Sequence, residues 1–153
     1  MDLFLFRHAA AVRLTDPETE SDAARALTPR GRRRFRRVVR ALEKRRLRVH
    51  HLLHSPMLRA VQTADLLLPI LRGETEVCAE LGASPTPALL DRLVGERVGL
   101  VGHNPWLGEL VGLLVGGPSN LVEWRKGGLV WLSGDPAPGQ MCVRAVVPRG
   151  VLG

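Results

Sequence analysis

"FLFRHAAA", residues 4–11, runs three large apolar side chains straight into an arginine, a histidine and three alanines. A strand that ends on Arg7 and His8 has two readings. In the plain one the strand surfaces there and the polar pair is solvated. In the other, the strand delivers a fixed cation and a reactive imidazole into a pocket. The choice depends on whether other strands end on polar residues of matching chemistry.

Three further short apolar runs follow the first: "HHLLH" (50–54), "EVCA" (76–79) and "RVGLVG" (97–102). Like "DLFLF" (2–6), they are brief and lack the polar alternation of a half-exposed sheet, which is the pattern of strands covered on both faces. Helical patterns lie between them, near 29–46, 56–71, 87–95 and 105–115. Their starts read "TP" (28–29), "SP" (55–56), "TP" (86–87) and "NP" (104–105). Each places a capping side chain before a proline, whose missing N–H costs nothing in the first helical turn. Alternating strands and helices of this length predict right-handed crossovers. The expected fold is a three-layer α/β/α domain over 1–153, its sheet mostly parallel with helices on both faces. "GLVWLSG" (128–134) and "MCVRAVVP" (141–148), joined by the turn-like "DPAPGQ", predict a hairpin at one side of that sheet.

Ligands in open α/β sheets sit beyond the carboxyl ends of the parallel strands. Arg7 and His8 follow the first strand. "HSPMLRA" follows the second, with Ser55 as cap and Arg59 in the first helical turn. "AELGAS" follows the third and offers Glu80. "GHNP" follows the fourth and offers His103, with Asn104 as cap. Two histidines, two arginines and a carboxylate would converge on one rim. Two arginine forks suit a tetrahedral dianion in a way lysine does not. An imidazole that is neutral at one nitrogen can attack phosphorus and carry a covalent phosphoryl group. No glycine-rich phosphate loop and no acidic cluster of Mg²⁺ spacing occurs, so a metal-dependent nucleotide site is not expected.

Composition is compatible with this. Of 153 residues, 45% are hydrophobic and 24% charged, ordinary values for a globular domain. The acid at position 2 and the short apolar run after it do not make a signal peptide. No stretch approaches the ~20 apolar residues of a membrane span. Cys78 and Cys142 are far apart, form no CxxC pair, and read as buried free thiols of a cytoplasmic protein.

"LFRHAAA", "ALTPRG", "HSPMLRAVQTA" and "LVGHNP", in that order, resemble the histidine phosphatase superfamily, with its phosphoglycerate mutase-like fold. The length and motifs are most similar to the small SixA-type phosphohistidine phosphatases. The resemblance runs from residue 2 to about residue 115. It implies that His8 accepts the phosphoryl group, that Arg7 and Arg59 bind it, and that His103 completes the pocket, with Asn104 beside it. It implies no metal and no organic cofactor. Glu80 is the nearest counterpart of the glutamate that serves larger members as general acid. Ala9 stands where the family often has glycine, and alanine does not readily take a positive φ. There is no room for a long insertion over the site, so a pocket open to a protein side chain is expected. The implied partner is a protein that carries phosphohistidine. The alternatives are a small phosphate ester as substrate or, in another class, a basic binding module.

The third possibility rests on the run from Arg30 to Arg48, which holds eleven basic residues and one acid, Glu43; the net charge is +7. Gly31, Phe35, Val38 and Leu42 share one helical face, so the helix packs on the sheet and shows its arginines to solvent. The bland reading is a solvated face. Nucleic acid would suit the charge, but no recognition motif or interleaved aromatic accompanies the run, and an acidic phosphoprotein surface docking beside the pocket fits it equally well.

Overall fold

The structure is a computed structural model that describes residues 1–152. Its centre is β1 (Asp2–Arg7), whose pleat sends successive side chains to opposite faces. Leu3 and Leu5 pack into one core with Leu53, Val98 and Leu100. Phe4 and Phe6 pack into a second with Leu52 and Val101. All four β1 side chains are buried, which is why the run reads as continuously apolar.

Around β1 lie α1 (Pro29–Lys44), β2 (Val49–His54), α2 (Leu58–Leu67), β3 (Leu71–Val77), α3 (Pro87–Asp91), β4 (Arg97–Gly102), α4 (Trp106–Val115), β5 (Leu129–Gly134), β6 (Met141–Val147) and α5 (Arg149–Leu152). The strand order is β3-β2-β4-β1-β5-β6. The first four strands in that order run parallel. β5 is antiparallel to β1, and β5 and β6 form the expected hairpin. Leu107, Leu110, Val111 and Leu114 of α4 cover the leucine face, together with Leu89 of α3. Phe35, Val38, Val39 and Leu42 of α1 cover the phenylalanine face, together with Ala60, Ala64 and Leu67 of α2. The three-layer arrangement is as the pattern predicts. Among the described residues no helix is long and apolar enough to cross a membrane.

Several boundaries differ from expectation. β3 occupies 71–77 rather than 76–79 and is an exposed edge, paired only with β2, so it tolerates Arg72, Glu74 and Glu76. Cys78 is buried just beyond it, but Cys142 is exposed on the other edge strand, β6. Pro29 and Pro87 do open helices. Pro56 and Pro105 do not, since α2 begins at Leu58 and α4 at Trp106, and the Asn104–Pro105 peptide is cis. α3 is also shorter than expected and ends at Asp91.

The start of α1 is tied to the chain just past His8. Thr28 caps the helix, its Oγ1 accepting from the Gly31 N–H at 2.9 Å, while the Thr28 N–H donates to the Ala10 carbonyl at 2.9 Å. A Cβ on Gly31 would lie 2.2 Å from that same oxygen. Only glycine permits so close an approach of backbone to backbone. Gly31→Ala should therefore force α1 and the residue 8–10 turn apart, destabilising the protein by about 1–3 kcal/mol. It should also lower whatever activity depends on His8. Urea denaturation with a wild-type midpoint would refute this.

Candidate active site

The rim is set by strand register. Arg7 of β1 lies opposite Gly102 of β4, and His54 of β2 opposite Val101. One residue further on, the His8 N–H donates to the Gly102 carbonyl and the Ser55 N–H to the Val101 carbonyl, both at 3.0 Å. His8, Ser55 and His103 thus leave three adjacent strands at one level. The rings of His8 and His103 lie 5.1 Å apart, and His103 meets Trp106 edge-on at 5.9 Å. The two histidines are only 5% and 4% exposed.

His8 Nδ1 lies 2.7 Å from the carbonyl oxygen of Ala9. A carbonyl only accepts, so Nδ1 carries the proton and Nε2 keeps a free lone pair. Burial pushes the His8 pKa down to about 3; the Ala9 bond opposes this, and the charges of His103, Arg59 and Lys126 add to it. His103 pairs through Nε2 with Ser55 Oγ at 2.8 Å, while its Nδ1 is buried and unpartnered. Burial and then Arg59 push its pKa down to about 4, with Asp22 partly offsetting them. Both rings are therefore neutral at neutral pH.

Two arginines flank them. Arg7 Nη1 donates to the Trp124 carbonyl at 3.0 Å, and burial lowers its pKa. Arg59, 5% exposed, donates through Nη1 to the Asp22 carbonyl at 2.7 Å and through Nη2 to the Asp22 carboxylate at 3.1 Å. Each keeps a buried Nε with no partner. Thr63 couples the parts: its Oγ1 accepts from the Ala9 N–H at 3.0 Å and donates to the Arg59 carbonyl at 2.6 Å. Among the described residues Arg46 is the only non-glycine with positive φ, so Ala9 sits in its place without backbone strain.

Arg7, His8, Arg59 and His103 come together as expected. Glu80 does not join them. It stands in a 3₁₀ turn (Ala79–Gly82) after β3, where its carboxylate accepts from Cys78 Sγ at 3.2 Å. Its own N–H and Cys78 hold that carboxyl below its usual range, and its charged neighbour is Arg92. A carboxylate held ionised is poorly suited to donate a proton. Asn104 is not a helix cap, and its Oδ1 is buried without a partner. Ser55 Oγ serves the site through His103 at 2.8 Å and also accepts from the Met57 N–H, just before α2, at 3.3 Å. His54, buried, only donates Nδ1 to the Ser55 carbonyl at 3.0 Å.

Two groups at the site, Asp22 and Lys126, have no obvious mark in the sequence. The 13–27 segment carries Asp22, which pairs with Arg25 at 2.9 Å and Arg59 at 3.1 Å. Asp22 therefore latches that segment onto Arg59, so the histidines are more enclosed than the absence of an insertion suggests. Lys126 is brought in from the stretch before β5: the Gly127 N–H donates to the carbonyls of both Arg7 and His8, at 2.9 and 3.1 Å. Burial lowers the Lys126 pKa, as do the charges of Arg25, Arg7 and Arg59. The available signs were weak: an acidic loop, and one of only two lysines, set just before a glycine pair.

An imidazole with a free lone pair, set among cations that suit a phosphoryl dianion, has the parts that phosphoryl transfer to a ring nitrogen requires. The chain belongs to the histidine phosphatase superfamily (branch 1), whose pattern matches residues 3–82, and it is a phosphatase of that superfamily. It is 31% identical over 147 residues to an uncharacterized protein of Picosynechococcus sp. (strain ATCC 27264 / PCC 7002 / PR-6), a match that covers 90% of this chain and 87% of the other. Its fold superposes on the protein histidine phosphatase SixA complexed with tungstate, over the full length of both chains, at 24% identity and a TM-score of 0.83. It also superposes on the alpha-ribazole phosphatase of Shigella flexneri, over 97% of each chain, at 18% identity and a TM-score of 0.72. At these identities the two likenesses speak for the phosphoglycerate mutase-like fold.

The buried histidines make stability depend on pH. The unfolded chain takes up these protons near 6.5, whereas folded His8 and His103 take them up only near 3 and 4. Between about 6.5 and 3 the unfolded state binds more protons, so stability falls as pH falls through that window. The Tm of the wild type should drop more steeply between about pH 7 and pH 4.5 than that of a His8→Gln/His103→Gln double variant. Parallel curves would show that the histidines are not buried in the neutral form.

Proposed function

We propose that the chain hydrolyses phosphohistidine in a partner protein, by way of a phosphohistidine on its own His8. The observation that carries this is the His8–Ala9 hydrogen bond, which leaves Nε2 as a free lone pair within a ring of cations. In the first step Nε2 attacks the phosphorus of a phosphohistidine whose other ring nitrogen carries a proton, and the bond from phosphorus to the substrate ring breaks, its electron pair staying on a ring that leaves as neutral imidazole. In the second, water attacks the phosphoryl group and the bond to Nε2 breaks, restoring neutral His8. One water is consumed: its hydroxide ends in inorganic phosphate and its proton passes through the phosphate to solvent.

Arg7 and Arg59 hold the phosphoryl oxygens. For Arg59 the incoming dianion competes with the Asp22 carboxylate for the same fork. The dianion also raises the pKa of His103, because an opposite charge at hydrogen-bond distance favours the protonated ring; the unpartnered Nδ1 then becomes a donor. Asn104 borders this pocket through its unpartnered Oδ1.

The choice of substrate follows from the leaving group. Among the described residues the acid near the histidines is Asp22, which is paired with Arg25 and Arg59, and Glu80 is engaged by Cys78. An imidazole leaving group titrates near 6.5 and needs far less protonation by the enzyme than an alkoxide does. The fold likeness to the protein histidine phosphatase SixA favours the same substrate class. The free thiols of Cys78 and Cys142 suit a reducing cytoplasm. The mechanism calls for no metal or organic cofactor.

A hydrolysis panel tests the substrate: kcat/KM should be highest for a phosphohistidine protein, lower for sugar phosphates and phosphoserine peptides, and unaffected by EDTA. A sugar phosphate that outruns the protein would overturn the assignment. With radiolabelled substrate, acid-labile and base-stable labelling should form on the wild type and vanish in His8→Ala; labelling that persists elsewhere would remove His8 from its role. Arg59→Lys keeps the charge but loses the fork, and should cut the rate by about 10²-fold or more. Near-wild-type turnover in that variant would place Arg59 outside phosphoryl binding.

A further inference from the structure

The arginines of α1 are not equivalent. On one flank, Arg36 and Arg40 border a groove together with Glu43 and Asp65, so acids lie among the cations. On the other, Arg34 and Arg37 meet Arg125 and Arg149 in a cleft of about 510 Å³ whose wall, among the described residues, contains no acidic side chain. Among the described residues none of these four arginines forms an ion pair. The like charges of Arg30, then Arg149 and Arg37, depress the pKa of Arg34. A merely solvated helix face gives no reason for unpaired cations from α1, the 124–128 segment and α5 to gather on one side.

The cleft also leads to the catalytic rim. A recess lined by Ala9, Ala10, Lys126, Arg34 and Arg149 lies between the two. Lys126 bears electrostatically on His8 at one end and shares the recess with Arg34 and Arg149 at the other. The cations form one track from the phosphoryl site outward.

We propose that the Arg34–Arg37–Arg125–Arg149 cleft docks an acidic segment of the protein substrate, placing carboxylates beside its phosphorylated histidine. The proposal rests on the phosphohistidine reading of the site. Arginine forks match carboxylates in bidentate fashion. Besides the arginines, the described residues of the wall are Pro148 and Gly150, which give no aromatic surface on which nucleobases could stack. Charges that border the route to a buried centre raise the encounter rate and set orientation more than they alter the chemical step.

The test is Arg34→Gln/Arg37→Gln/Arg149→Gln, in which glutamine preserves helix propensity; circular dichroism checks the fold. The probes are a phosphohistidine protein with acidic flanks, p-nitrophenyl phosphate and a fluorescent glutamate-rich peptide. In the triple variant kcat/KM for the protein should fall about tenfold or more, with the small ester within about twofold. The peptide should bind the wild type in a salt-sensitive manner and bind the variant at least about tenfold more weakly. Equal losses on protein and ester, unchanged peptide affinity, or a single-stranded oligonucleotide that binds more tightly than the peptide would each overturn the proposal. Should the wild type ignore the phosphohistidine protein while peptide binding still tracks the arginines, the substrate reading falls and the acidic-segment cleft stands.

Discussion

β1 is hydrogen-bonded on both edges, to β4 and β5, and covered on both faces by helices. That confinement removes every freedom of its four apolar residues, Leu3 to Phe6. A slip of one residue would exchange leucines and phenylalanines between two cores of different shape and would also shift His8 off the level of Gly102 and Val101. The rim is therefore placed by packing far from the chemistry. His8 gains its position from backbone bonds to Gly102 and Gly127, made just where the buried strand ends.

Around that fixed point the fold collects charges that oppose one another. Arg7, Arg59, Arg25 and Lys126 approach two histidines that burial keeps neutral. Only Asp22 supplies an acid to that group, and it is shared between Arg25 and Arg59. Polar atoms remain unsatisfied there: Nε of Arg7, Nε of Arg59 and Nδ1 of His103. Buried polar atoms without partners are costly for a folded chain and recur where binding supplies what folding does not. A phosphoryl group provides the missing acceptors and the missing negative charge together.

The same imbalance continues onto the surface. Compositional bias toward arginine explains why α1 is basic, but it does not explain why acids accompany Arg36 and Arg40 and not Arg34 and Arg37. Helical periodicity separates those pairs onto different flanks, and tertiary structure then adds Arg125 and Arg149 to one of them.

The order of polar residues after apolar runs was enough to foresee that Arg7, His8, Arg59 and His103 meet at one rim, because each lies at a strand end or in the first turn after one. Local pattern also set the helix face Phe35, Val38 and Leu42 and the hairpin near 135–140. It misplaced β3, whose residues are polar because an edge strand need not be buried, and it took Pro105 for a helix start. It set Glu80 beside the histidines on strand order and on the family resemblance, whereas the Glu80 carboxylate is bonded to Cys78. Asp22, Lys126 and the four-arginine cleft could not be read in advance. Their partners lie tens of residues away or more, so their meaning depends on backbone bonds such as Gly127 to Arg7 and His8. Chain order specifies which side chains leave the sheet; only the packed chain decides which distant charges meet them, because electrostatic contact depends on separation in space.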